Sequence, residues 1–184
     1  MRAVFAALLL AGCASLPPSS ADRDGVGDFA LEARFALRSE RPGEPPAHAS
    51  GRLSWTHAAG RDAILLSSPF GQGLAEITVD ADGARLRSGD GSLRQARDPA
   101  ALVREATGYA LPLGELPAWL LGRTRVPGAL SRDAQGRPAS LREDGWTVRY
   151  TYDDPRPGAL PAALTITRES ELELRLRIED WKTP

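Results

Sequence analysis

The chain has 184 residues, 42% of them hydrophobic, with 23 basic and 24 acidic residues and a formal net charge of −1. Near neutrality without any basic run argues against nucleic acid as a partner. A single cysteine excludes an internal disulfide, and a chain of this length buries an adequate core without disulfides or a structural metal.

At the amino terminus Arg2 precedes an apolar run, Ala3 to Leu10, which ends in Ala11-Gly12-Cys13. A charged start, an apolar middle and small residues at the cut predict a secretory signal. The run is far shorter than the ~20 apolar residues that a membrane-spanning helix needs. Leu10-Ala11-Gly12-Cys13 resembles the bacterial lipobox. That resemblance implies a signal peptide over 1–12, cleavage before Cys13, diacylglycerol on its sulfur and a third acyl chain on the new amino terminus. Two or three chains hold a protein to a membrane where one holds it only marginally. Residues 13–28 are small, polar and Pro-bearing and predict a lipidated, flexible tether. Ala14 stands where an Asp commonly retains a lipoprotein in the inner membrane, which resembles the outer-membrane class. Residues 29–184 then form one domain facing the periplasm.

From residue 29 the dominant period is two. Phe29, Leu31, Ala33, Phe35 and Leu37 alternate with Ala30, Glu32, Arg34, Ala36 and Arg38, the pattern of a strand with one apolar face. A Pro-rich loop at Arg41 to Pro46 follows, then strands at Gly51 to Trp55, Ala63 to Leu66 and Leu74 to Val79. Asp82-Gly83 is a hairpin signal before short strands at Ala84 to Arg87 and Ser92 to Ala96. Asp98-Pro99 predicts a helix start, with Leu102, Val103 and Ala106 on one face and Gly108 closing it. A second short helix is predicted from Gly114 to Leu121, ended by Gly122. Strands resume at Ala129 to Arg132, Ala139 to Glu143, Trp146 to Tyr152, Ala163 to Arg168 and Glu171 to Glu179. The fold class is therefore mainly β (α+β): a curled antiparallel sheet of about 10–11 strands forming an open half-barrel, with short helices over its concave apolar face. Two helices cannot cover so wide a face. The rest is filled by large side chains, Trp55, Trp119, Trp146 and Trp181 among them, or left as a cavity.

Catalytic and metal chemistry is poorly provided for. The two histidines, His48 and His57, have no second histidine or cysteine at ligand spacing, and no Gly-x-Ser-x-Gly elbow is present. Asp80-Ala81-Asp82-Gly83 lacks the downstream ligands of a calcium loop, and Gly71-Gln72-Gly73 lacks the third glycine of a dinucleotide loop; both predict turns. No cofactor is expected, and the chain reads as a binding protein and not an enzyme.

Several short segments recur in a telling order: Ser68-Pro69-Phe70-Gly71 between two strands, Leu111-Pro112-Leu113, Leu116-Pro117-Ala118-Trp119-Leu120-Leu121-Gly122, Gly136-Arg137-Pro138, Asp144-Gly145-Trp146-Thr147-Val148-Arg149-Tyr150, Leu160-Pro161-Ala162 and Ile178-Glu179-Asp180-Trp181. In this order, behind a lipobox, they resemble the LolB family of outer-membrane lipoprotein receptors over nearly the whole mature domain. The resemblance implies a monomeric half-barrel, lipid-anchored in the outer membrane. Its apolar cavity would accept the acyl chains of lipoproteins delivered by the soluble periplasmic carrier LolA and release them into outer-membrane lipid without nucleotide hydrolysis. It also implies that the Pro69-Phe70-Gly71 turn engages the membrane during insertion, with Phe70 where Leu is often found.

The residues support part of this independently. Pro69 and Gly71 force a turn, and a Phe at its tip is either an exposed apolar contact or a plug folded inward. For the acyl-chain cavity the expected lining is Phe35, Leu37, Leu53, Trp55, Leu65, Ile77, Trp119, Leu120, Trp146, Val148, Ile166 and Leu174. Alternation tells which residues of one strand share a face, not which face is concave. Two other readings are a lipoprotein that scaffolds an envelope assembly machine, with its concavity filled by tryptophans, and a lipoprotein hydrolase dependent on His48 or His57.

Overall fold

The computed structural model describes residues 22–40, 45–107, 111–169 and 171–184. Among them, eleven strands form one antiparallel sheet: β1 (Phe29–Ser39), β2 (Ala47–Ala58), β3 (Arg61–Ser67), β4 (Gly73–Asp80), β5 (Gly83–Ser88), β6 (Leu93–Ala96), β7 (Leu130–Arg132), β8 (Pro138–Glu143), β9 (Trp146–Thr151), β10 (Ala163–Arg168) and β11 (Leu172–Lys182). The spatial order is β6-β5-β4-β3-β2-β1-β11-β10-β9-β8-β7. Each half is a meander, and the first and last strands pair at the centre. The free edges, β6 and β7, are consecutive along the chain. The sheet curls but does not close, and the segment joining its two edges carries the helices.

Alternation decides which face is covered. On β1 the inward residues Phe29, Leu31 and Ala33 are buried while Glu32, Arg34 and Arg38 are exposed. The same parity runs through Leu53 and Trp55 of β2, Ile64 of β3, Ile77 and Val79 of β4, and Leu174, Leu176 and Ile178 of β11. The outer face is ionic, with Arg34 and Arg52 both directed to Glu179; exposed pairs of this kind add little stability. In β2, Gly51 is required by space: a Cβ there would lie 2.0 Å from the Ser67 carbonyl oxygen and 3.0 Å from the Phe35 ring.

The segment between β6 and β7 lies against the inward face. Helix α1 (Pro99–Thr107) is capped by Asp98, whose carboxylate accepts from Ala100 N–H at 2.9 Å. It packs on β5 and β6, burying Leu102 and Val103. Helix α2 (Leu116–Leu120) is shorter than the expected Gly114–Leu121 because Pro117 sits in its first turn and Gly122 leaves it with φ of 67°. Trp119 of α2 tilts against Trp146 of β9 with ring centroids 6.3 Å apart, and the Tyr150 hydroxyl donates to the Trp119 carbonyl at 2.8 Å. No helix among the described residues is long and apolar enough to cross a membrane.

Every expected strand is present, several longer than expected: β2 runs on to Ala58 instead of Trp55 and β3 starts at Arg61 instead of Ala63. β2 also begins at Ala47 instead of Gly51, and β11 runs on to Lys182, taking in Trp181. Part of the expected tether is folded onto the domain. Residues 23–25 form one 3-10 turn, Arg23 N–H donates to the Gly158 carbonyl at 2.9 Å, and Arg23 and Val26 are each 4% exposed. Val26 is apolar enough to join the core, which composition dominated by Pro, Ser and Asp conceals. Cys13, the signal peptide and Gly108 lie outside the described residues.

Candidate functional site

One cavity of about 230 Å³ lies between the sheet and the helical segment, and all of its seventeen lining residues are apolar or aromatic. The sheet supplies Phe35 and Leu37 (β1), Ala49, Leu53 and Trp55 (β2), Ile64 and Leu66 (β3), Leu74, Ala75 and Ile77 (β4), Leu86 (β5), and Leu174 and Leu176 (β11). The helical segment closes it with Val103, Leu111, Leu113 and Leu116. Along β2 the lining runs from Ala49 to Trp55, a reach of ~20 Å at ~3.4 Å per residue. One leaflet of a bilayer's hydrocarbon is ~15 Å thick, so the concavity has the length of a single acyl chain.

Strand register shows how the cavity is stopped. Its innermost row is Trp55, Ile64, Ile77 and Leu86, which are direct cross-strand partners. The next row is Phe29, His57, Asp62, Val79 and Ala84, and none of these lines the cavity. Asp62, 5% exposed, accepts the Trp55 Nε1–H at 2.8 Å and lies 2.8 Å from His57 Nδ1. The His57 ring stacks on Phe29 with centroids 5.3 Å apart, and Trp181 meets the other side of this cluster edge-on to Phe29 at 5.5 Å. A buried carboxylate is tolerated because both neighbours bond to it. The result is a rigid aromatic floor.

The opposite end of the sheet carries the β3–β4 turn. Gly71 N–H donates to the Ser68 carbonyl at 2.9 Å, Ser68 N–H to the Gln72 carbonyl at 2.8 Å and Gln72 N–H to Ser68 Oγ at 3.2 Å. Gly71 has φ of 85°, which a side chain would oppose. Backbone bonds and the Ser68 hydroxyl thus hold the turn, and Phe70 at its tip is 99% exposed. The strands that carry the turn place Leu66 and Leu74 in the cavity wall, and Leu74 is itself 43% exposed. An apolar path therefore leads from the exposed Phe70 to the cavity.

Of the residues expected to line the cavity, Phe35, Leu37, Leu53, Trp55, Ile77 and Leu174 do so. Leu65 does not: it faces outward and is 49% exposed. Ile64, Leu65 and Leu66 are all apolar, so their composition does not reveal the parity that register settles. Trp119, Leu120, Trp146, Val148 and Ile166 are each at most 4% exposed but belong to packed core outside the cavity. There the helical segment fills the concavity over β8, β9 and β10, and only the other half is left hollow. Ile64, Leu66, Ala75, Leu86 and Leu176 were missed although each shares parity with a lining residue of its own or a partner strand. Leu111, Leu113 and Leu116 carry no such signal. Trp181 sits in the aromatic floor cluster and donates to the Pro161 carbonyl at 2.8 Å. His48 is exposed near the start of β2 while His57 lies near its end. Among the described residues no group of three or more His, Cys, Asp or Glu gathers to hold a metal.

Comparison with known proteins agrees with this architecture. Residues 27–181 match the family model described as "Outer membrane lipoprotein LolB". The outer-membrane lipoprotein LolB of Dechloromonas aromatica is 51% identical over 187 residues, covering 99% of this chain and 98% of that one. The outer-membrane lipoprotein LolB of Thiobacillus denitrificans is 35% identical, with 98% and 97% covered. Among solved structures, a DUF1329 family protein from Desulfovibrio piger shares the fold with a TM-score of 0.54 at 9% identity, over 88% of this chain and 87% of that one. The chain belongs to the LolB family and is an outer-membrane lipoprotein.

Proposed function

We propose that this chain takes lipoproteins from a LolA-type periplasmic carrier by sheltering their acyl chains in the cavity, and then releases them into outer-membrane lipid. In this reading Cys13 bears the lipid anchor, the protein works as a monomer without nucleic acid or cofactor, and no bond is made or broken. The observation that carries it is the wholly apolar cavity reaching the same end of the sheet as the fully exposed Phe70.

The energetics give the reading its logic. Each methylene buried is worth about 0.8 kcal/mol, so a 16-carbon chain left in water costs roughly 12 kcal/mol. Cargo with two or three such chains must pass from one apolar shelter to the next. The cavity of about 230 Å³ compares with the dry cavity of about 150 Å³ that holds one benzene in another protein. It admits part of one chain, and admitting more requires the helical segment to move off the sheet. A shelter that must open in order to fill holds its guest less tightly than a preformed one, which favours onward release. Phe70 stands where hydrocarbon from the bilayer would meet the outgoing chain.

The full chain with Cys13→Ala, which removes the acceptor sulfur, tests acceptance. Incubated with lipoprotein-loaded LolA, it is expected to take up the cargo, and retention of all cargo on LolA would sink the proposal. Phe70→Glu in the anchored protein is expected to accept cargo normally, to keep its melting temperature because the exposed Phe70 side chain takes no part in holding the turn, and to insert cargo into liposomes at least tenfold more slowly. Normal insertion would remove Phe70 from the mechanism.

A further inference from the structure

Ser39 is the last inward residue of β1, one inward position beyond Leu37, and so lies one step past the cavity at the Phe70 end of the sheet. It is 2% exposed, and its Oγ is the one buried side-chain polar atom among the described residues without a hydrogen-bond partner. Its cross-strand partners, Ala47 and Leu172, carry apolar side chains. The nearby backbone is already engaged, with Glu40 N–H donating to the Glu171 carbonyl at 2.8 Å. An unpaired buried hydroxyl is a standing cost to the fold. Alanine would cost nothing of the kind at this position.

The position is suited to a particular guest atom. A hydrocarbon chain stopped at Trp55 and lying along the strands past Leu37 has no polar atom until it leaves the apolar wall. The first one it then presents is the carbonyl of its ester or amide linkage, which emerges past Leu37, where Ser39 is the next inward side chain. We infer that the Ser39 hydroxyl donates to the carbonyl of the acyl chain bound in the cavity, marking the mouth end of the site as Trp55 marks its floor. This rests on the acyl-chain reading of the cavity and adds to it a polar contact that recognises the linkage and not the hydrocarbon. The carbonyl belongs to the diacylglyceryl group of a lipoprotein or to a phospholipid; the chemistry is shared.

The test uses calorimetric titration of the full chain with Cys13→Ala, alone and with Ser39→Ala or Ser39→Thr added. The probes are a synthetic diacylglyceryl cysteine peptide, its dialkyl ether counterpart and a diacyl phospholipid. Ser39→Ala is expected to weaken the ester peptide five- to tenfold, to leave the ether peptide within twofold and to raise the melting temperature of the ligand-free protein. Ser39→Thr, which keeps a hydroxyl, is expected to retain most of the ester affinity. A matching loss for the phospholipid assigns the contact to any acyl ester, and a loss confined to the peptide assigns it to lipoprotein cargo; both uphold the inference. Unchanged ester affinity in Ser39→Ala, equal losses for ester and ether, or a lowered melting temperature would each overturn it. Failure of the unsubstituted serine protein to bind any probe would instead overturn the acyl-chain reading itself.

Discussion

Single residues set the limits of the cavity. Trp55 would be a mobile wall if its indole were free, but Asp62 accepts its N–H, and Asp62 is in turn held by His57. Asp62→Ala leaves a buried indole N–H unpaired and is expected to cost about 1–3 kcal/mol, read as a lower urea midpoint with an unchanged slope. Asp62→Asn keeps an acceptor for the indole and is expected to cost less than the alanine change. An Asp62→Ala protein as stable as the parent would mean that the floor holds itself. The sequence shows Trp55 and Asp62 only as one strand residue and one charge near a turn. Their bond becomes visible when the β2–β3 register sets His57 opposite Asp62 and Trp55 opposite Ile64.

At the scale of elements, α2 has only five residues and cannot be stable alone. It is fastened to β9 by the Trp119–Trp146 contact and by the Tyr150 hydroxyl donating to the Trp119 carbonyl. Burial drives the Tyr150 phenol well above its ordinary value, and burial likewise pushes Tyr152, which donates to the Pro138 carbonyl, up to about 12. An unfolded chain releases these protons near pH 10 while the folded one holds them. Their contribution is therefore complete below about pH 10 and is lost as pH rises through about 12. Urea midpoints are expected to hold steady from about pH 8 to 10 and to fall beyond it. Tyr150→Phe is expected to lower the midpoint at about pH 8 by about 1 kcal/mol equivalent and to make the alkaline fall shallower. The helix itself was legible from Pro117 and Gly122. Its fastening was not, because Tyr150 is 31 residues from Trp119.

For the whole molecule, the decisive fact is an unequal division of one concave face. The segment between the two sheet edges fills the part over β8, β9 and β10 and only roofs the part over β1 to β5 and β11. Of the four tryptophans, Trp55 alone borders the cavity, while Trp119 and Trp146 are packed against each other. A fatty acid brominated along its chain is therefore expected to quench a minority of the tryptophan fluorescence, and Trp55→Phe to remove most of that quenching. Quenching that survives Trp55→Phe would place the chain in the other half of the concavity and contradict the site as described.

What the amino-acid sequence determined by itself is local and periodic. Alternation along Phe29 to Leu37 and Leu74 to Val79 dictates strands with one apolar face, Pro69 and Gly71 dictate a turn with Phe70 at its tip, and the segment from Leu10 to Cys13 resembles a lipidation signal. The tertiary structure decided which apolar face stays hollow. Trp146, Val148 and Ile166 obey the same period as Trp55 and Ile77, yet helix α2 and its neighbours pack over the first set and leave space above the second. A period of two reports only that a face is turned away from water. Whether protein or an empty concavity meets it depends on contacts between strands and helices far apart in the chain.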